Sequence, residues 1–161
     1  IRRGRERGYV FSCVMTRAAS EFVTPLTVSS LAGEKVYQDL FDLGADLATP
    51  GDSFEPSEME LRIVAAQVNW LEGEIDRLNE RLAPLDSFVL PGGCREAAAV
   101  HLARAICRRA ERSAVTAARG ASINPLALTY LNRLSDYLFT LARSLNDHGA
   151  LDVKWVPGAN R

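Results

Sequence analysis

Between residues 57 and 82 the apolar side chains Leu61, Val64, Val68, Leu71, Ile75, Leu78 and Leu82 recur at alternating steps of three and four, with polar and charged residues between them. At 3.6 residues per turn this spacing lays one apolar stripe along one side of a helix, and a stripe of that length needs other helices to cover it. Ser57 and Glu60 fit a capping box at its start, the hydroxyl accepting from a first-turn N–H while the carboxylate returns to the cap. Pro84 and Pro91 stop the pattern and bound a connector that carries Phe88, Val89 and Leu90.

The same period occurs twice more. Gly92-Gly93 opens a helix predicted over about residues 94–119 and ended by Gly120. Asn124-Pro125 supplies an N-cap and a proline at the first helical position of a last helix, predicted to about residue 145, with Ala127, Leu131, Leu134, Leu138, Leu141 and Leu145 as its seam. A shorter helix, about residues 35–47, precedes Pro50-Gly51. Before residue 38 the character differs: "YVFSCVM" at residues 9–15 has strand-like length and content, and Thr- and Ser-rich sequence with Pro25 and Gly33 follows. The expected class is all-α, an antiparallel helical bundle with an atypical N-terminal segment that contains a short strand-like run. A chain of 161 residues holds one sizeable core and is short for two.

A net charge of -1 gives no global pull toward nucleic acid, and Glu58, Glu60, Glu72, Glu74, Asp76 and Glu80 make the helix before residue 82 acidic. Arg2, Arg3, Arg5 and Arg7 read as a solvated end. Cys13, Cys94 and Cys107 lie far apart without C-x-x-C spacing, so neither a disulfide framework nor a zinc site is indicated, and a reducing compartment fits. The chain has no apolar run of membrane-spanning length, and "IRRGRERG" has no apolar h-region. The expected location is the cytoplasm, with neither membrane nor nucleic acid as a partner.

On the third helix Arg104, Arg108 and Glu111 fall within about 60° of one another, in line with Val100 and Val115. Arg109 and Arg112 point to solvent, and Ala99, Leu102, Ala103, Ile106 and Ala110 are the expected core side. The last helix repeats the arrangement, with Leu128, Asn132, Asp136, Phe139 and Arg143 on one line beside its leucine seam. Two guanidiniums four residues apart suit a polyphosphate, and Glu111 can orient Arg108 or accept from a ligand hydroxyl. Spacing alone leaves open a surface ion pair, an anion site and a nucleic-acid grip, the last opposed by the acidic neighbour. His101, at the edge of the stripe, reads as a satisfied or exposed histidine, and no metal-ligand spacing surrounds it or His148. Gly92-Gly93 serves as a helix-entry turn or an anion cradle.

Five blocks in order, "LFDLGADLATP", "SFVLPGG", "HLARAICRRAER", "LNRLSDYLF" and "VKWVPGANR", resemble the PduO-type ATP:cob(I)alamin adenosyltransferases over about residues 38–161. That resemblance implies a homotrimer of helical bundles that binds ATP with Mg2+ at subunit interfaces. It implies transfer of the 5′-deoxyadenosyl group to cob(I)alamin with release of tripolyphosphate. By position in the motifs, Arg104 and Arg108 look like the family's active-site arginines, Glu111 like the acidic residue that accompanies them, and Asn132 like an ATP-contacting amide. Phe88 resembles the aromatic on the lower face of the corrinoid, and Phe139 is placed in the same pocket.

The family's opening phosphate loop, T-x-x-G-D-x-G-x-T, and the helix with an aspartate that follows it do not occur in this sequence. Residues 1–38 instead resemble a fragment of the flavin-containing phosphopantothenoylcysteine decarboxylases, too short to form an independent domain. The expected division is therefore a flavoprotein-like fragment over residues 1–38 and an adenosyltransferase-like bundle over residues 39–161. The alternative to adenosyl transfer is a catalytically inactive corrinoid-binding or trimerising remnant.

Overall fold

A computed structural model describes residues 34–57 and 60–159. The strand-like run, the N-terminal arginines, Cys13 and most of the flavoprotein-like segment lie outside the described residues. Four helices make up most of the structure: α1 Glu34–Leu47, α2 Ala65–Asn79, α3 Arg95–Ala117 and α4 Pro125–Leu145. A two-residue ribbon joins β1 (Val89–Leu90) to β2 (Val153–Lys154), antiparallel with Val89 opposite Lys154 and Leu90 opposite Val153. The all-α expectation holds, and the ribbon adds to it. Among the described residues no helix is long and apolar enough to cross a membrane.

The last helix is the axis of the bundle. α4 packs extensively on both α3 and α2 and also touches α1. Its burial runs round more than one face, taking in Ala127, Tyr130, Leu131, Leu134, Tyr137, Leu138, Thr140 and Ala142. Local chemistry sets its start: Asn124 Oδ1 accepts the Leu126 N–H at 3.0 Å, and Pro125, which has no N–H to satisfy, occupies the first turn. Val36 and Leu43 of α1, Val68 and Leu71 of α2, and Val100 and Cys107 of α3 complete the core around it.

Helix α2 begins at Ala65, eight residues later than the stripe predicts. Ser57 Oγ does accept the Glu60 N–H, at 3.1 Å, but the Glu60 carboxylate goes to Arg62 rather than back to the cap. The reason is tertiary. Asp46, at the end of α1, accepts the Ile63 N–H at 2.8 Å and Arg62 NH1 at 3.0 Å, while Asn124 Nδ2 donates to Asp46 Oδ2 at 2.7 Å and to the Ile63 carbonyl at 3.0 Å. A helix through residues 60–64 would turn those backbone groups inward on itself and strand a buried carboxylate. Ile63 is instead fully buried, Leu61 is exposed, and Val64 is extended, its N–H held by Gln67 Oε1 at 2.9 Å.

On α3 the expected core side is corrected. The buried residues are Ala97, Val100, His101, Cys107 and Ala114, whereas Leu102 is 53% exposed, Ala110 is exposed, and Ala99, Ala103 and Ile106 are half-buried. The helix presents its small residues and its charged stripe to α4, because α4 supplies partners for the polar heads. Arg109 and Arg112 are exposed, as their angle predicts.

A second buried polar knot closes the far end of the bundle. Asn146, fully buried, accepts the Cys94 N–H at 3.0 Å and donates to the Gly92 carbonyl at 3.2 Å and to Asp152 Oδ1 at 3.1 Å. Arg143 Nε donates to Asp152 Oδ2 at 2.9 Å, and its NH2 reaches the Ala83 carbonyl at 2.9 Å. Cys94 itself caps α3, its sulfur accepting the Ala97 N–H at 3.4 Å.

Candidate functional site

Helices α3 and α4 run antiparallel, since contacts that climb α3 descend α4: Cys94 Sγ donates to the Leu145 carbonyl, His101 meets Phe139, and Cys107 Sγ donates to the Leu131 carbonyl. This alignment brings the two polar lines face to face. Glu111 is clasped from both sides, with Arg108 NH1 on Oε2 and Asn132 Nδ2 on Oε1 at 3.0 Å. The Asn132 carbonyl oxygen accepts Arg133 NH2 at 2.6 Å, and Arg133 also pairs with Asp136 at 3.0 Å. The Glu111 side chain is 13% exposed and that of Arg108 40%, so the carboxylate is anchored inside while the guanidinium edge reaches solvent. Each hydrogen bond fixes the next group along, which leaves Arg108 oriented and still able to donate outward.

Nearer the knot the site turns aromatic. The guanidinium carbon of Arg104 lies 5.0 Å from the centre of the Phe139 ring, within cation–π range. Arg104 Nε is buried with no hydrogen-bond partner among the described residues. His101, which sequence reading left as satisfied or exposed, is 4% exposed, and its Nε2 likewise has no partner there. Burial, and then the Arg104 charge, lower its pKa, with Asp152 opposing. Burial and the charge of Glu111 push the Cys107 thiol up to about 12, so it is inert packing.

The structure thus brings Arg104, Arg108, Glu111, Asn132 and Phe139 onto one α3/α4 face. Phe88 lies elsewhere, 75% exposed at the foot of the ribbon, where its ring meets Trp155 edge-on at 5.8 Å. Its carbonyl accepts the Trp155 N–H at 2.8 Å, and Ser87 Oγ donates to the Trp155 carbonyl at 2.7 Å. Leu85, Leu90, Trp155 and Val156, near Phe88 along the chain or across the ribbon, are exposed as well. Arg143, placed by its period on the ligand line, is taken by Asp152 and Ala83. Its partner sits nine residues on, in a tail with no helical period, so only a three-dimensional view finds it. Among the described residues no three His, Cys, Asp or Glu side chains are grouped to hold a metal ion.

An oriented guanidinium edge beside an anchored carboxylate and amide suits a polyphosphate with a polar sugar, and the neighbouring phenyl ring suits a flat apolar ligand. Comparison with known proteins points the same way. The family described as cobalamin adenosyltransferase matches residues 16–145, starting inside the segment likened above to a flavoprotein fragment. The corrinoid adenosyltransferase of Mycobacterium tuberculosis (strain ATCC 25618 / H37Rv) is 47% identical over 129 residues, which cover 79% of this chain and 65% of that protein. Corrinoid adenosyltransferase PduO of Salmonella typhimurium is 42% identical over 111 residues, 69% of this chain and 32% of that protein. The chain therefore spans less than two thirds of the length of these curated relatives. Among solved structures, a phenylalanine-to-alanine variant of the PduO-type ATP:corrinoid adenosyltransferase from Lactobacillus reuteri, complexed with cobalamin and ATP, superposes with a TM-score of 0.68 at 35% identity. It covers 88% of this chain and 74% of that one. With the family matched over residues 16–145 and the helical fold shared with its solved structures, this chain belongs to the cobalamin adenosyltransferase family.

Proposed function

We propose that the chain transfers the 5′-deoxyadenosyl group of ATP, taken with Mg2+, to cob(I)alamin, forming adenosylcobalamin and tripolyphosphate. The observation that carries this reading is the α3/α4 face itself, where the Arg108–Glu111–Asn132 clasp and the Arg104–Phe139 pair adjoin. The solved relative complexed with cobalamin and ATP supports it.

Cob(I)alamin is its own nucleophile. Its cobalt electron pair forms the bond to C5′ while the C5′–O bond breaks, and that electron pair leaves on the triphosphate, so no protein base is required. What the chain supplies is alignment and charge. Arg104 and Arg108 take the negative charge that grows on the leaving triphosphate, Glu111 holds Arg108 at the required angle, and Asn132 contacts ATP while bracing Glu111. Phe88 and Phe139 form apolar walls beside the corrin, where excluding a water ligand favours four-coordinate cobalt and its reduction.

In this reading the protein is a cytoplasmic homotrimer with its sites between subunits, which would bring Phe88 of one copy toward the arginine face of another. The exposed Leu102, on the side of α3 turned away from α4, supports a partner covering that side. Residues 39–161 make up the adenosyltransferase-like bundle, which the first turn of α1 joins through Val36 in the core, and the rest of residues 1–38 is read as a flavoprotein-like fragment, not an independent domain.

The test is adenosylation under strong reductant with ATP and Mg2+, followed in the visible spectrum of the corrinoid. Wild type turns over, and Arg108→Ala loses about a hundredfold or more, the scale set by removing one oriented donor from a developing charge. Unchanged turnover in Arg108→Ala refutes its role. Corrinoid bound without turnover makes the chain an inactive corrinoid-binding or trimerising protein instead, and yellow, FMN-loaded protein points to flavin binding.

A further inference from the structure

His101 has no part in the reaction as derived above, yet it is built into the site. It lies one turn before Arg104 on α3 and is 4% exposed, with its ring 6.3 Å from that of Phe139 and tilted by 59°. Arg104 approaches the same phenyl ring at 5.0 Å. Two successive turns of α3 thus grip one side chain of α4, and the imidazole gives up a hydrogen bond at Nε2 to do so, since that buried atom has no partner among the described residues. Leaving such an atom bare is costly unless the packing it permits matters.

From this geometry we infer that His101 is a positioning residue: it seats the Phe139 ring against Arg104 and so sets the distance between the wall met by the corrinoid and the guanidinium met by the triphosphate. The inference rests on the adenosyl-transfer reading for what the seat is used for, but the seat itself is a property of the chain alone.

Only the uncharged imidazole can fill this role. Protonation would add a second cation beside Arg104 and a second buried donor. The charged groups around His101 do not offset that. Asp152, from the segment after α4, is the carboxylate that acts on it, and it is already held by Arg143 Nε. Burial, followed by the Arg104 charge, accordingly keeps the His101 pKa below its ordinary value. The sign follows. As the pH falls, the unfolded chain takes the proton first, so the stability that the neutral imidazole contributes is complete above about pH 6.5 and is lost as the pH drops below that toward the folded pKa, where the seat itself is protonated.

Two variants and two readouts test this. His101→Phe keeps an aromatic ring and removes the ionisable nitrogen, whereas His101→Ala removes the contact. The expected result is that His101→Phe retains its kinetic constants at about pH 8 and loses the acidic limb that the wild type shows in KM for cob(I)alamin. His101→Ala raises that KM about three- to tenfold, the range of an aromatic pair contact, with KM for ATP unchanged. An identical acidic limb in wild type and His101→Phe, or equal rises in both KM values in His101→Ala, would overturn the inference.

The second readout needs neither substrate. The sequence has two histidines, so in His148→Gln the remaining imidazole resonances belong to His101. In that background Phe139→Leu should shift those resonances and raise their titration midpoint, and unchanged resonances would refute the seat. Absence of turnover in the wild type then counts against adenosyl transfer, while the resonances still decide the role of His101.

Discussion

Gly93→Ala should be far more damaging than a methyl group at a helix entrance suggests, and the damage should depend on a residue more than fifty positions away. Gly93 has φ +96°, a region that side chains rarely enter, and a Cβ built there would lie 2.1 Å from Asn146 Oδ1, 2.4 Å from its Nδ2 and 2.5 Å from its Cγ. The backbone strain alone is worth about 1–2 kcal/mol. The steric part is larger, because Asn146 must leave its place and abandon its bonds to Cys94, Gly92 and Asp152. Cys94 and Gly92 are half-buried, where water can replace the amide, but Asp152 is deeply buried, so the loss is about 2–4 kcal/mol. Gly93→Ala should therefore cost about 3–6 kcal/mol, a large share of the roughly 5–15 kcal/mol that holds a domain folded. Asn146→Ala alone should cost about 2–4 kcal/mol, and once it is made Gly93→Ala should add only the strain of about 1–2 kcal/mol. The double-mutant cycle, read by urea unfolding at fixed protein concentration, should then show a coupling of about 2–4 kcal/mol. Strict additivity of the two substitutions would refute the reasoning, since it would mean that the Cβ does not displace the amide.

Two further outcomes follow from burial and exposure. In a Cys13→Ser, Cys94→Ser background, Cys107 at pH 8 should resist alkylation until the chain unfolds. With its pKa pushed up to about 12 by burial, the thiolate fraction is on the order of one in ten thousand, and native-state labelling within minutes would contradict this. Phe88→Ala should change stability by no more than about 0.5 kcal/mol, as expected of an exposed side chain, while shifting Trp155 fluorescence and lowering adenosylation. A large loss of stability would show Phe88 to be a core residue rather than a surface wall.

The helix ends that were legible in the sequence are those decided locally. Asn124-Pro125 and Gly92-Gly93 mark the starts of α4 and α3, the first through a cap that lies within a turn of the residue itself, whereas the sulfur cap of Cys94 came only with the structure. The start of α2 was not legible, because residues 60–64 answer to Asp46, which is remote in sequence and draws Arg62 and Ile63 out of helical geometry. The inward face of α3 was misread for a related reason. Hydrophobic weight favours Leu102 and Ile106, yet the side that turns in carries arginines and a glutamate whose partners come from α4. The meeting of Arg104, Arg108, Glu111, Asn132 and Phe139 could be anticipated, since each helix sets its own angular order and two neighbouring helices need only face each other. His101 could not, because burial of a histidine is a property of the neighbours and leaves no mark in spacing.

The family match ends at residue 145, and a chain trimmed there to its matched region would look complete by homology. Arg143 argues otherwise: its side chain is 9% exposed and its ion partner Asp152 1%, so the cut would leave a buried cation without its carboxylate, at a cost of about 3–5 kcal/mol. The stretch from Asn146 to Trp155 is thus a lock rather than a tail. It bolts the ends of α3 and α4 to the connector before β1, and a working boundary for this bundle falls after β2.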